Sequence, residues 1–242
     1  MAYAFISGAS RGIGKGIAYK LAKEGYDLVL CCEKNGKALL NVSDDIRSRF
    51  GRNVLTYVGD IGDSEFVSMM GSDVISNTGG VDVLINNAGI AKIGLLTDTS
   101  PEEWNRIISV NLSSCYYTAR AFLPAMIRKK CGHIINISSM WGRVGASCEV
   151  AYSASKGGMD AFTRALSKEL APSHIRVNAI SCGVIDTDMN AELSTEDMEA
   201  LKNEIPADRL GTPDDVADAV YALLISGDYL TGQIIGVEGG YI

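Results

Sequence analysis

Short, nearly unbroken apolar runs alternate with longer stretches of helical period along the whole chain, and few architectures accept that pattern. The runs Tyr3 to Ser7, Asp27 to Cys32, Asn53 to Val58, Val81 to Asn86, His133 to Ile137, Arg176 to Ser181 and Gln233 to Val237 read as strands. Between them, Gly12 to Glu24, Lys37 to Arg49, Ser64 to Asn77, Pro101 to Lys129, Ala151 to Leu170, Glu196 to Glu204 and Asp214 to Leu224 read as helical. A strand apolar on both sides must be covered on both faces, which is the condition of a parallel sheet between two helical layers. The pattern therefore predicts an α/β, doubly wound parallel sheet. No linker, repeat or low-complexity segment interrupts it, so residues 1–242 are expected to form a single domain.

Composition narrows the function. With 47% hydrophobic residues the chain can bury a large core, and its net charge of −7 argues against nucleic acid as the main partner. The densest basic run, Arg128-Lys129-Lys130, suits a helix C-terminus. No apolar run approaches the ~18 residues of a membrane span, and no secretory signal is visible at the N-terminus, so a cytoplasmic protein with no membrane partner is expected. None of the six cysteines forms a C-x-x-C pair, and His133 and His174 stand apart from metal-ligand spacings, so no metal is expected.

Between the first strand and the first helix lies Ser7-Gly8-Ala9-Ser10-Arg11-Gly12-Ile13-Gly14. Glycines there permit a tight turn and close backbone approach, and the helix N-terminus that follows favours a pyrophosphate. The spacing is Gly-x-x-x-Gly-x-Gly rather than the commoner Gly-x-Gly-x-x-Gly. The same residues satisfy Gly-x-Ser-x-Gly, the nucleophile elbow of serine hydrolases. That reading fails on order: only seven residues precede Gly8, leaving no upstream loop for an oxyanion donor, and nothing after His174 can serve as the late histidine.

A second constellation is Tyr152-Ser153-Ala154-Ser155-Lys156. Residues four apart lie one helical turn from each other on one face, so this spacing can hold an ammonium near a phenol. A free phenol ionises near pH ~10, and a neighbouring positive charge lowers that value, fitting the phenol for acid–base work. Ser139 lies thirteen residues before Tyr152, just past an apolar run. Together with the glycine turn, this suggests carbonyl–alcohol redox chemistry beside a dinucleotide.

In these motifs and their order, from Ser7 to Gly240, the chain resembles the short-chain dehydrogenases/reductases. Gly8, Gly12 and Gly14 match the family's cofactor turn, and Asp60 matches the acid that holds the adenine. Asn86-Asn87-Ala88-Gly89 matches the Asn-Asn-Ala-Gly after the fourth strand, and Asn111, Ser139, Tyr152 and Lys156 match the catalytic tetrad. The resemblance implies a Rossmann-type fold and a nicotinamide cofactor held by Gly8, Ser10, Arg11, Gly12, Ile13, Gly14, Asp60, Ile61, Asn87, Ala88, Gly89, Tyr152, Lys156, Ile185 and Thr187. It also implies roles. Tyr152 exchanges a proton with the substrate oxygen; Lys156 lowers the Tyr152 pKa and binds the nicotinamide ribose; Ser139 hydrogen-bonds the carbonyl; Asn111 fixes a relay water. One position departs from the pattern: where the family usually has Pro-Gly, the chain reads Cys182-Gly183, which places a thiol near the cofactor site.

Within the family, Gly-Ala-Ser-Arg-Gly-Ile-Gly and Ile-Ile-Asn-Ile-Ser-Ser resemble the 3-oxoacyl-[acyl-carrier-protein] reductases. The stretch from Trp141 to Tyr152, with Cys182 to Thr187, also resembles the elongation factor P 5-aminopentanone reductases. The first resemblance implies reduction of a 3-oxoacyl group on acyl carrier protein in fatty acid biosynthesis, and the positive charge of the run at 128–130 offers a docking site for an acidic carrier, against a net charge of −7 that repels one at long range. The second implies a ketone-modified lysine, a further small ketone remains an alternative, and a cofactor-binding scaffold without catalysis is the different-class alternative. NADP(H) is expected over NAD(H), because the usual acid position holds Cys32, and Arg11 and Lys34 are nearby cations; Glu33 opposes this. Family membership further implies a homotetramer, built through the helices Ser113–Ile127 and Ala154–Leu170 and the ending Gly236 to Ile242, and a substrate lid near 188–206.

Overall fold

The computed structural model describes residues 2–188 and 195–242. Of the expected lid, residues 189–194 lie outside the described residues. The strands are β1 (Tyr3–Ser7), β2 (Asp27–Cys32), β3 (Val54–Val58), β4 (Val83–Asn86), β5 (Gly132–Ser139), β6 (Ile175–Cys182) and β7 (Ile234–Val237). They form one seven-stranded sheet in the order β3-β2-β1-β4-β5-β6-β7, with every neighbouring pair parallel. The helices are α1 (Gly12–Lys23), α2 (Gly36–Phe50), α3 (Ser64–Thr78), α4 (Pro101–Ile108), α5 (Ser114–Lys129), the single turn α6 (Trp141–Val144), α7 (Val150–Leu170), α8 (Thr195–Glu204) and α9 (Pro213–Ile225).

Adjacent strand residues point to opposite faces, and the core divides accordingly. Ile6, Leu28, Leu30 and Ile85 pack with Ile17 and Leu21 of α1, Leu39 and Ile46 of α2, and Val216 and Val220 of α9. Their neighbours Phe5, Val29 and Leu84 pack on the other face with Val67 and Met70 of α3, Phe122 and Met126 of α5, and Leu166 of α7. Each large side chain so buried contributes roughly 1.5–3 kcal/mol. The doubly wound fold is thus the one the apolar runs predict.

Local chemistry fixes the element ends. Asn35, Asp63, Ser100 and Thr212 accept backbone N–H bonds at the starts of α2, α3, α4 and α9. α2 and α3 end on Gly51 and Gly79 with φ of 64° and 78°, a conformation glycine adopts without a Cβ clash. What positions the site is the crossover. β1 pairs with β2 on one side and β4 on the other, so the chain leaves it in two directions. A crevice forms outside the carboxyl ends of the strands at such a point.

Candidate active site

The glycine turn opens this crevice. Gly8 has φ +67° and Gly12 φ +53°, and a Cβ on Gly14 would stand 2.3 Å from the Gly8 carbonyl oxygen, so the turn is closed to larger residues. The next strand end braces it. Asn87 Nδ2 donates to the Ser7 and Gly8 carbonyls at 2.9 and 3.3 Å, while Ser7 Oγ accepts from the N–H groups of Asn87 and Ala88 at 3.0 Å. Unlike α2, α3, α4 and α9, α1 has no side-chain cap, and its first turn carries no acid, so its leading N–H groups face the crevice without a side-chain cap among the described residues. Thr187 closes against the same turn, its Cγ2 lying 3.4 Å from where a Gly12 Cβ would stand, and Ile185 is buried beside it. Ile13 packs into the core beneath, Ser10 is hydrogen-bonded to Cys32, and Arg11 pairs with Asp188 at 3.2 Å on the rim.

Asn111, Ser139, Tyr152 and Lys156 meet at the next strand ends along the sheet. Ser139 is the last residue of β5, and its side chain is hydrogen-bonded to Tyr152. Lys156 is buried, donates from Nζ to the Ile137 carbonyl at 2.7 Å, and lies 5.6 Å from the Tyr152 ring centroid. Asn111 lies in a π-helical turn, Ser109–Ser113, between α4 and α5. Its Oδ1 accepts from Ile90 N–H at 2.8 Å, and its Nδ2 donates to the Ile90 carbonyl and to Ser155 Oγ at 2.9 and 3.0 Å. Gly89 completes the group: a Cβ there would be 3.5 Å from Lys156 Nζ and 3.6 Å from Asn111 Oδ1. Close packing holds α7 in place, since a Cβ on Gly142 of α6 would sit 2.8 Å from the Lys156 backbone.

The protonation states differ from the sequence expectation in one respect. Lys156 was expected to lower the Tyr152 pKa, but in the protein alone desolvation raises it above the ordinary tyrosine value, offset only in part by the Ser139 hydrogen bond. Burial also lowers the pKa of Lys156. Both groups are driven toward their neutral forms, and the phenol is held as a proton donor. Cys182 is buried and its thiol is pushed up to about 12 by desolvation, so it lacks the exposure and thiolate character that redox chemistry requires.

At the far end of the crevice, Asp60 Oδ1 accepts from Gly62 N–H at 2.8 Å, and its second oxygen is bonded by Arg106 of α4. Arg106 also pairs with Glu33 at 3.1 Å, and Lys34 pairs with the same carboxylate at 3.3 Å. Ile61 is buried behind them.

Several residues that shape the site have no role assigned by the sequence. Asn86 Nδ2 donates to Asn136 Oδ1 at 2.8 Å, Asn136 Nδ2 donates to Thr163 Oγ1 at 2.8 Å, and Thr118 donates to Asn86 at 2.7 Å. This buried chain ties β4 and β5 to α5 and α7 below the candidate site residues. Its signal was an Asn inside each of two apolar runs. Glu149, three residues before Tyr152, is half-buried and its carboxylate has no hydrogen bond or ion pair among the described residues. Its negative charge reaches Tyr152, and burial raises its own pKa.

Known proteins share this architecture. Residues 2–198 match the short chain dehydrogenase family. An uncharacterized oxidoreductase, YmfI of Bacillus subtilis, is 38% identical over 239 residues, covering 98% of each chain. The 3-oxoacyl-[acyl-carrier-protein] reductase FabG of Chlamydia muridarum is 38% identical over 244 residues, covering 98% of this chain and 96% of that one. The crystal structure of YwfH, an NADPH-dependent reductase involved in bacilysin biosynthesis, superposes with a TM-score of 0.93 at 27% identity, covering 100% and 98% of the two chains. A family match over most of the chain, full-length relatives at 38% identity and a shared fold agree, and the chain belongs to the short chain dehydrogenase family of oxidoreductases.

Proposed function

We propose that this enzyme reduces a ketone to a secondary alcohol with NADPH, the substrate being a 3-oxoacyl group carried on acyl carrier protein. The observation that carries the reaction is the hydrogen-bonded Ser139–Tyr152 pair, with the phenol kept protonated by burial. The cofactor fits the residues present: the uncapped α1 N-terminus and the closed glycine turn suit a pyrophosphate, with Thr187 and Ile185 beside the turn. NADPH supplies the hydride. Tyr152 delivers the proton to the substrate oxygen, and Ser139 Oγ steadies the charge that develops there. Lys156 keeps donors beyond the one given to Ile137, so it can bond the nicotinamide ribose and favour the phenolate once the proton has left. Asn111, anchored on Ile90, sits beside Lys156 where a proton relay would pass.

Support for the carrier-bound substrate comes from the 3-oxoacyl-[acyl-carrier-protein] reductases among the relatives, with FabG of Aquifex aeolicus 35% identical over 236 residues. Exposed Ile93, Leu95, Leu96 and Val144 would supply apolar surface for an acyl chain, on two segments, 93–96 and the end of α6, whose neighbourhood is tied by the bond from Gly94 N–H to the Cys148 carbonyl. The basic run supports it less. Residues 128–130 close α5 just before β5, whereas Ser139 ends β5, about 23 Å away at ~3.3 Å per residue. Lys129 is moreover paired with Asp82.

A second reading is favoured by Glu149. An unpartnered carboxylate one turn from the reacting phenol suits a ketone that bears an ammonium group, as the 5-aminopentanone-modified lysine of elongation factor P does. The deciding assay measures NADPH oxidation with acetoacetyl-carrier protein, a small acetoacetyl thioester and a 5-aminopentanone-modified lysine. Faster turnover of the carrier-bound thioester is expected. Fast reduction of the modified lysine alone, abolished by Glu149→Gln, would replace the fatty-acid assignment and leave the tetrad chemistry intact.

A further inference from the structure

Two carboxylates stand at the carboxyl ends of β2 and β3, where the adenosine half of a dinucleotide lies in this crevice. Glu33 follows the last residue of β2 directly, and Asp60 follows β3 by two residues. Glu33 sits beside the glycine turn, since Ser7 is in register with Cys31 and the N–H of Ala9 donates to the Cys31 carbonyl at 3.0 Å, and Asp60 lies one strand further out, where Gly59 N–H donates to the Cys32 carbonyl at 2.9 Å. Left to themselves, two acids here would favour a ribose diol and repel a 2′-phosphate. They are not left to themselves. Arg106 reaches across from α4 and bonds both, through Nη2 to Glu33 at 3.1 Å and through Nη1 to Asp60. The space it uses is kept clear: a Cβ on Gly62 would lie 3.2 Å from Arg106 Nη1 and 2.8 Å from Ser109 Oγ.

We propose that Arg106 is a specificity-determining residue, a clip that occupies Glu33 and Asp60 together and so lets the adenosine pocket accept a 2′-phosphate. The inference rests on the NADPH reading above. With Arg106 and Lys34 present, the two carboxylates are matched by two cations. Without Arg106 the edge becomes net negative, and Glu33 is freed to meet the ribose. A fork-shaped guanidinium can hold two carboxylates in one plane, which a lysine cannot do. Because all three side chains are about one-third exposed, the effect is screened by salt.

The test compares wild type with Arg106→Gln, Glu33→Gln and the double variant. One measurement is kcat/KM for NADPH and NADH; the other is calorimetric binding of adenosine 2′,5′-bisphosphate and of AMP. For Arg106→Gln, the NADPH to NADH ratio should fall about ten-fold at low salt, the size of one charge acting over a few ångströms of wet surface. The binding ratio of the two adenosine nucleotides should fall in parallel, and both shifts should shrink in high salt. Adding Glu33→Gln should restore most of the loss. Equal loss of both nucleotides would make Arg106 a mere prop for Asp60 and overturn the clip, as would unchanged ratios. Wild type preferring NADH would sink the NADPH reading alone, because the clip is judged by the change in ratio.

Discussion

In the proposed reaction, Tyr152 would act through what surrounds a single oxygen. Free tyrosine is a weak acid, and burial in this site makes it weaker, offset in part by the Ser139 hydrogen bond. A proton held at neutral pH is what a ketone needs as it becomes an alkoxide, so the raised pKa keeps the phenol in the form that reduction starts from. Because the protonated form is the active one in reduction and its pKa lies above 10, the reduction rate should stay level up to pH 10. Alcohol oxidation needs the phenolate and should rise with pH over the same range. Tyr152→Phe should lose ~10²–10⁴-fold in kcat while keeping its fold and its affinity for cofactor, the range expected for a lost general acid. Ser139→Ala, which removes a charge-stabilising hydroxyl but not the proton, should lose ~10²-fold. Steady-state rates in both directions between pH 6 and 10 would check this, and substantial turnover by the Phe variant would remove Tyr152 from the role.

Among the elements, the legible ones were those whose character is written in consecutive residues. β1 and β2 ended where their apolar runs did, and α3 and α9 began within one residue of their caps. What could not be read depends on partners distant in sequence. The strand expected from Val81 begins at Val83, because the ladder to β1 and β5 starts there and Val81 is instead buried beneath it. The π-turn that carries Asn111 sits in the continuous helical pattern from Pro101 to Lys129, and it is recognisable only through the bonds of Asn111 to Ile90 and Ser155. Likewise the motif residues of the candidate site could be named from the sequence, but Arg106 could not, since its partners Glu33 and Asp60 lie on other elements. The Asn86–Asn136–Thr163 chain is the clearest case: polar residues in core strands look like flaws until the helices cover them. Asn136→Leu should therefore destabilise the protein by about 1–3 kcal/mol in chemical denaturation, because Asn86 and Thr163 would each lose a buried partner. A variant as stable as wild type would mean that these groups find other partners.

At the scale of the whole molecule, we propose that the subunits assemble into a tetramer through exposed apolar surface. Tyr116 and Ile127 on α5 are about half exposed, with the Tyr117 ring tilted against that of Tyr116 at 5.5 Å between centroids. Along the outer side of α7, Ala154, Ala161 and Ala165 leave a low, smooth stripe against which another helix can pack closely. A separate patch lies at the sheet edge, where β7 is the last strand and Ile235 and Ile242 remain exposed. A tetramer with three perpendicular two-folds needs two distinct self-complementary surfaces, and the helical face and the β7 edge offer one each. Apolar residues grouped in this way are what an unburied interface looks like in an isolated subunit. Sedimentation at micromolar concentration should find a tetramer for the wild type. Tyr116→Glu combined with Ile127→Glu should reduce it to dimers held through the β7 edge, with little change in subunit stability because neither side chain is in the core. A wild-type monomer would contradict the assembly, and a charged double variant that stays tetrameric would remove α5 from the interface.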